Sequence, residues 1–377
     1  MGGKRMKRNM EENCMRTPEE NPRISVKSVE DSFVAYIRFV GPISDIPAYF
    51  ARLRERVGSH IIGDPICLYD VTANEVPGEN HIEVCYPLAG PMEDVRTKTL
   101  YGCKMVCISW TGPAGTPWGR AEWWKCVRPY IHDNYMTIDE DPIREVRHRD
   151  DGTETIEIQY TLQFPRWMEG LDSGLHQYGG ENVRQQVMAG SNHIQVDSPI
   201  QERLSWIREA LERLDQNVND DAVRSNILNG CAHRYPPTRI EKLRALYQQS
   251  RDIDALLEVM CADTSIGGLS WYGHPVREGH IIHNYNDPAD PQGYQQAQAE
   301  IDKRIAACFC PIVQAAMQAG LPLSPTFCNC SAGYTRQLWE GIFQQPVRVE
   351  IAESVLRGDA RCRFVIHIPD DLLMESQ

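Results

Sequence analysis

The first half of this chain is written twice. Phe39-Val40-Gly41-Pro42 is echoed by Trp110-Thr111-Gly112-Pro113, and Asp64-Pro65-Ile66 by Asp141-Pro142-Ile143. Ile82-Glu83-Val84-Cys85-Tyr86-Pro87-Leu88 returns as Ile156-Glu157-Ile158-Gln159-Tyr160-Thr161-Leu162. The echoes keep their order, at offsets of 71, 77 and 74 residues. A segment duplicated in order folds into one unit built twice. Each copy reads as a strand ending at a Gly-Pro turn (32–39, 102–110), a helix, and two further strands, the first opened by Asp-Pro-Ile. The helix of copy one, 46–57, places Tyr49, Phe50, Leu53 and Val57 on one apolar face, and that of copy two covers about 118–132. Each unit is therefore β-α-β-β.

The last strand of each copy alternates. Ile156, Ile158, Tyr160 and Leu162 point one way, and Glu157, Gln159, Thr161 and Gln163 the other; Ile82, Val84, Tyr86 and Leu88 likewise oppose Glu83, Cys85 and Pro87. The apolar sets pack on the helices. Glu157 and Glu83 face water, a partner or the other repeat.

Beyond the repeat the texture changes. Residues 167–197 carry Gly170, Gly174, Gly179, Gly180 and Gly190 among polar residues and read as a linker. Residues 198–377 are mostly helical in pattern. Ser198-Pro199-Ile200-Gln201 and Thr238-Arg239-Ile240-Glu241 read as capping boxes, with further helices near 220–229, 251–261, 294–307 and 332–344. The segments 347–356 and 361–368 flank Arg357-Gly358-Asp359-Ala360 as a hairpin. The expected fold class is α+β: a charged tail over 1–22, a duplicated β-α-β-β domain over 23–166, and a mostly helical domain closing with a β-hairpin.

Composition narrows the function classes. No apolar run reaches the roughly 18–20 residues of a membrane helix. The formal net charge is −13, with 52 acidic against 39 basic residues, which argues against a nucleic-acid-binding surface over the whole molecule. Thirteen cysteines without an apolar leader fit reduced thiols and a cytoplasmic setting.

Residues 23–166 resemble the gyrase-inhibitor-like effector-binding family, also found as the drug-sensing half of MerR-type multidrug regulators. The resemblance implies a pseudo-twofold pair of β-α-β-β units. It also implies a glutamate on the last strand of the second unit, in an aromatic-lined groove that meets cationic or polar aromatic ligands. Glu157, in Thr155-Ile156-Glu157-Ile158, matches that position, and Glu83 is its partner in copy one. About 22 residues precede the first strand, so the winged helix of those regulators is not expected. Trp110, Trp118, Trp123, Trp124 and Tyr130 are the rings available to such a groove, where cation–π attraction contributes ~0.5–2 kcal/mol. Some members of the family hydrolyse strained electrophiles, which would make Glu157 a general acid/base of raised pKa.

Cys330-Ser331-Ala332-Gly333-Tyr334, Pro346-Val347-Arg348-Val349-Glu350 and Gly358-Asp359-Ala360-Arg361-Cys362-Arg363-Phe364 resemble the end of 4-vinyl reductase-type small-molecule-binding domains. Two Cys-x-Cys pairs, Cys308/Cys310 and Cys328/Cys330, could hold zinc or an iron–sulfur cluster; packing thiols and redox-active thiols are the alternatives. His280 and His283 read as loop residues. The expected function is a small-molecule sensor or sequestering protein for an aromatic or cationic organic ligand, with a hydrolase or a Cys-ligated metalloprotein as alternatives. The expected partner is that small organic ligand, with no membrane or nucleic acid.

Overall fold

The computed structural model describes residues 22–70, 80–113, 118, 123–139, 141–150, 152–265 and 268–374. Residues 1–21, most of the expected tail, lie outside them. The chain divides into two compact units, Met1–Gln163 and Phe164–Gln377. The architecture is α+β, a curled eight-stranded antiparallel half-barrel followed by a helical unit with a small sheet.

The first unit runs β1 (Arg23–Val29), β2 (Ser32–Gly41), α1 (Ile46–Val57), β3 (Ile66–Tyr69), β4 (Asn80–Pro87), β5 (Thr97–Leu100), β6 (Cys103–Pro113), α2 (Trp123–Asp133), β7 (Ile143–Asp150) and β8 (Thr153–Thr161). The strand order is β1-β6-β8-β7-β3-β4-β2-β5. Copy one supplies β3-β4-β2 and copy two β7-β8-β6. The copies meet where β3 pairs β7, Ile66 opposite Val146 and Tyr69 opposite Ile143.

The two outer strands were not expected, and they cross over. β1, which leads into copy one, pairs with β6 of copy two, and β5, which leads into copy two, pairs with β2 of copy one. Each leading strand thus closes the open edge of the other copy. Both are short or polar, so neither carries the apolar run that marks a strand in sequence.

α1 forms where the periodicity placed it. Pro47 sits in its first turn, where a missing N–H costs nothing, and Gly58 ends it at φ +50°. Ile46, Phe50, Leu53 and Val57 are buried on the sheet, at roughly 1.5–3 kcal/mol each. Tyr49 is half-buried, stacked on Phe39 at 3.8 Å between centroids. The Gly of the Thr-Gly-Pro echo has a steric reason: a Cβ on Gly112 would strike the Trp110 ring.

The second unit contains α3 (Gln163–Gly174), a π-helical turn (Leu175–Gly179), α4 (Glu181–Val187), α5 (Ile200–Asn217), α6 (Asp221–Asn229), α7 (Pro237–Ser250) and α8 (Ile253–Ala262). Then follow β9 (His274–Glu278), β10 (Ile281–Tyr285), α9 (Pro291–Gln296), α10 (Glu300–Ala307), α11 (Pro311–Gln318), α12 (Asn329–Phe343), β11 (Arg348–Glu353) and β12 (Arg363–His367). The core gathers Leu243, Tyr247, Leu257, Met260, Trp339, Phe343, Phe364 and Ile366.

Residues 167–197 are not a linker. Trp167, Leu171 and Leu175 are buried on α3 and its π turn. A Cβ on Gly170 or Gly174 would collide with the backbone oxygens of Gly230 and Ile227. These glycines let two helical backbones approach closely; they do not loosen the chain. The expected capping boxes do not form either: Pro199 and Pro236 precede α5 and α7 without a side-chain cap. Asp220 and Asp252 cap α6 and α8 instead, accepting from Ala222 and Val223, and from Asp254 and Ala255.

The terminal hairpin is half of a four-stranded sheet, β11-β12-β10-β9. His283 lies within β10, not in a loop; His280 lies in the turn before it. Among the described residues no helix is long and apolar enough to cross a membrane.

Candidate functional site

The register sorts the first unit's side chains onto two faces. Pairs directly opposite one another share a face. Glu157 opposes Ser109 and Val146, and Glu83 opposes Arg38 and Leu68. All of these lie on the face away from the helices. Both carboxylates are buried, Glu157 at 6% and Glu83 at 8% exposure.

Each is already paired within the chain. Glu157 Oε2 accepts from Lys27 Nζ at 2.6 Å and Ser109 Oγ at 3.1 Å, and Oε1 from Gln159 Nε2 at 2.7 Å. Glu83 accepts from Arg38 Nε at 2.7 Å and from Lys98. Lys27 and Lys98 stand 71 residues apart, the offset of the first echo. They sit on the crossed-over strands β1 and β5, opposite Met105 and Val34, which are also 71 apart. Each lysine thus reaches from its own leading strand to the glutamate of the other copy. The pairs form a clasp repeated by the duplication, and the 71-residue offset was the signal that could have found it.

This bears on the expected acid. Burial pushes the Glu157 carboxyl up, but donation from Lys27, Gln159 and Ser109 outweighs it and holds the group below the ordinary range. A raised pKa, as the general-acid reading requires, is not what this environment produces. Cys85, on the Glu83 face, is pushed up to about 12 by burial and is no nucleophile. Tyr86 and Tyr160 lie on the opposite face, as the alternation expects.

The rings are not with Glu157. Trp110 opposes Ile156 and so lies on the helix-bearing face. Trp118, half-buried, stacks against Phe50 of α1 at 4.9 Å and over the Arg147 guanidinium at 3.9 Å. Tyr130 is half-buried on α2. The indoles of Trp123 and Trp124 lie outside the described side chains. The expectation of rings around Glu157 fails for Trp110, because its strand sends alternate side chains to opposite faces, and for Trp118, whose ring packs on Phe50 and Arg147.

The charged group among rings is a different one. Glu145 and Arg147 on β7 and Glu154 on β8 are 1%, 1% and 0% exposed, on the helix-bearing face at the seam between copies. Arg147 donates to Glu145 Oε1 through Nε at 2.8 Å and Nη2 at 2.6 Å, and to Glu154 Oε2 through Nη1 at 3.0 Å. Tyr69 of copy one donates its hydroxyl to Glu145 Oε2 at 2.7 Å. Arg149 donates to Glu154 Oε1 at 2.8 Å from the surface. Burial, with Cys67 and Glu145 beside it, drives the Tyr69 phenol well above its usual pKa, and burial does the same to the Cys67 thiol. Phe50 meets Tyr86 edge-on at 5.4 Å. The sequence signal missed here was polar: Glu145, Arg147 and Arg149 alternate along one strand of an otherwise apolar face.

The cysteines of the second unit converge without forming a ligand set. Burial raises the thiols of Cys308, Cys310, Cys328, Cys330 and Cys362, and the first four each feel at least one other cysteine of the group. Ser354 donates to Cys328 Sγ at 3.2 Å, and the Cys308 thiol to the Cys310 carbonyl at 3.7 Å. Among the described residues no group of three or more His, Cys, Asp or Glu side chains is placed to hold a metal ion. The expected Cys308/Cys310/Cys328/Cys330 centre is therefore not prearranged: the pairs enter on separate helix starts, and their thiols are held as neutral packing groups.

Residues 279–373 match the model of a family of unknown function, DUF6144. The 4-vinyl reductase resemblance has no support beside this match. No curated protein matches the chain. Among solved structures, the chain is similar to the C-terminal domain of EcmrR at 14% identity and a TM-score of 0.30, covering 37% of this chain and 97% of that one. It is similar to EcmrR in an EcmrR–DNA complex at 14% identity and a TM-score of 0.32, covering 42% of this chain and 63% of that one. It is similar to SAV2435 bound to tetraphenylphosphonium at 11% identity and a TM-score of 0.27, covering 42% of this chain and 99% of that one. At this distance the likenesses carry no functional argument.

Proposed function

We propose that the first unit binds a small aromatic organic molecule at the seam between its two copies, on the helix-bearing face, with Arg147, oriented by Glu145 and Tyr69, as its polar contact. One observation carries this reading: two carboxylates and one guanidinium are removed from water in the midst of Tyr69, Phe50, Tyr86 and Trp118. Burying such ions costs several kcal/mol each, and apolar residues of the same volume often serve stability as well or better. Buried charge beside large apolar rings is instead what orients a ligand within an apolar site. The duplication places this set where one ligand contacts both copies.

Binding without turnover is the favoured form. Glu157, the expected general acid, is held ionised by Lys27 on the other face, and Glu145 accepts from both Arg147 and Tyr69. The test is thermal unfolding of the native chain and of Glu145→Gln and Tyr69→Phe in the presence of planar aromatic compounds. Stabilisation of the native chain that both substitutions abolish supports the site. Stabilisation indifferent to both, or tracking Glu157→Gln instead, removes it.

A further inference from the structure

Glu145, Arg147 and Glu154 have no route to water of their own, and Tyr69, Phe50 and Tyr86 are also buried. Among the described residues, the half-buried group that lies over Arg147 is the indole of Trp118. That ring has the contacts a bound aromatic would have: a guanidinium 3.9 Å from its centre and the Phe50 ring stacked at 4.9 Å with 27° between planes. A ring taking the same place gains the same cation–π attraction and the same stacking, and loses none of the ionic network beneath. No ring can take that place while Trp118 holds it.

We infer that Trp118 is a resident stand-in for the ligand, and that the ligand is a planar, electron-rich aromatic without positive charge which replaces the indole on the face of Arg147. This rests on the seam being the binding site and adds the ligand's class and the group it displaces. The charge follows from Arg147. A guanidinium attracts the negative face of an electron-rich ring and repels a ring that carries its own positive charge. The carboxylates offer a cationic ring little in return. Glu145 Oε1 and Glu154 Oε2 are turned to Arg147, and Glu145 Oε2 to Tyr69. Displacing a resident ring also taxes affinity, since only the fraction of molecules with Trp118 moved aside is competent.

The test uses the full chain and two probes of like shape, 2-naphthol and the N-methylquinolinium cation, titrated by calorimetry against native protein, Trp118→Ala, Trp118→Phe and Glu145→Gln. Removing the competing indole is expected to tighten 2-naphthol binding by roughly two- to thirtyfold in Trp118→Ala, the range that a lost cation–π contact sets. Trp118→Phe should fall between, and the cationic probe should bind more weakly than 2-naphthol throughout. Binding of 2-naphthol that Trp118→Ala weakens or leaves unchanged while Glu145→Gln abolishes it would overturn the stand-in and leave the seam site standing. Tighter binding of the cation would overturn the ligand class. Absence of binding by either probe to every form would overturn both the inference and the site. Far-ultraviolet circular dichroism on each variant separates loss of fold from loss of binding, and Trp118→Phe, which keeps a ring, guards against a collapse of Trp118→Ala.

Discussion

Replacing Arg147 by Met tests the buried ionic set at its centre. The guanidinium makes three hydrogen bonds of 2.6–3.0 Å to two carboxylates that are 1% and 0% exposed. Met fills a similar volume but, among the described residues, leaves Glu145 with the Tyr69 hydroxyl and Glu154 with the surface Arg149. Removing one partner of a buried ion pair costs about 3–5 kcal/mol, because the other charge stays buried without compensation. Loss of the Trp118 contact adds to this by roughly 0.5–2 kcal/mol. With a urea m-value of about 2 kcal/mol/M for a unit of this size, the unfolding midpoint of the first unit should fall by roughly 1.8–3.5 M. Urea titration followed by tryptophan fluorescence, fitted as two transitions because the chain has two units, reads this directly. The triple variant Glu145→Gln/Arg147→Met/Glu154→Gln, which removes all three charges together, should recover most of the loss. If the single variant shifts the midpoint by less than about 0.5 M, or the triple variant is no better than the single, the set is not the costly buried charge described here.

Other outcomes follow from the same physics. Glu157→Gln should cost about 1 kcal/mol, modest because Lys27 is 46% exposed. Because the folded carboxyl is depressed, that difference from the native chain should be complete above about pH 4.5 and disappear as pH falls through the folded value. A difference that grows on acidification would reverse the sign. Gly174→Ala should destabilise the second unit by roughly 1–3 kcal/mol, although its φ of −64° suits alanine, because the new methyl meets the Ile227 carbonyl. A stabilised variant in chemical denaturation would show that the helices do not approach so closely. Native protein at pH 8 should react slowly with iodoacetamide at Cys308, Cys310, Cys328 and Cys330, whose burial keeps them protonated, and rapidly once unfolded. Peptide mass spectrometry showing fast native labelling at any of them would contradict this.

What could be read without coordinates was what repeats or has a period. The three echoes fixed two β-α-β-β copies, and the spacing of Phe50, Leu53 and Val57 fixed α1 to the residue. Alternation told correctly that Tyr86 and Tyr160 oppose Glu83 and Glu157. What escaped depends on contacts distant in sequence. β1 and β5 are strands because the other copy offers them an edge, which nothing in their own residues announces. Gly170 and Gly174 look like flexibility in one dimension and prove to be close contact in three. The buried charge among rings lies a single register step from where it was expected. A glutamate near rings was anticipated on β8, but β8 turns Glu157 away from the helices, whereas neighbouring β7 turns Glu145 toward them. Arg147 hid the site further, since an arginine among apolar alternation reads as a solvent face until its carboxylate partners are seen.

The central claim is that an aromatic ligand lies against Arg147 and above Glu145. A crystal structure of the protein soaked with 2-naphthol tests it most directly. The account predicts difference density for a flat ring on the Arg147 guanidinium, with the Trp118 indole moved from its present place. Ring density beside Glu157 and Lys27, with the seam unchanged, would contradict it.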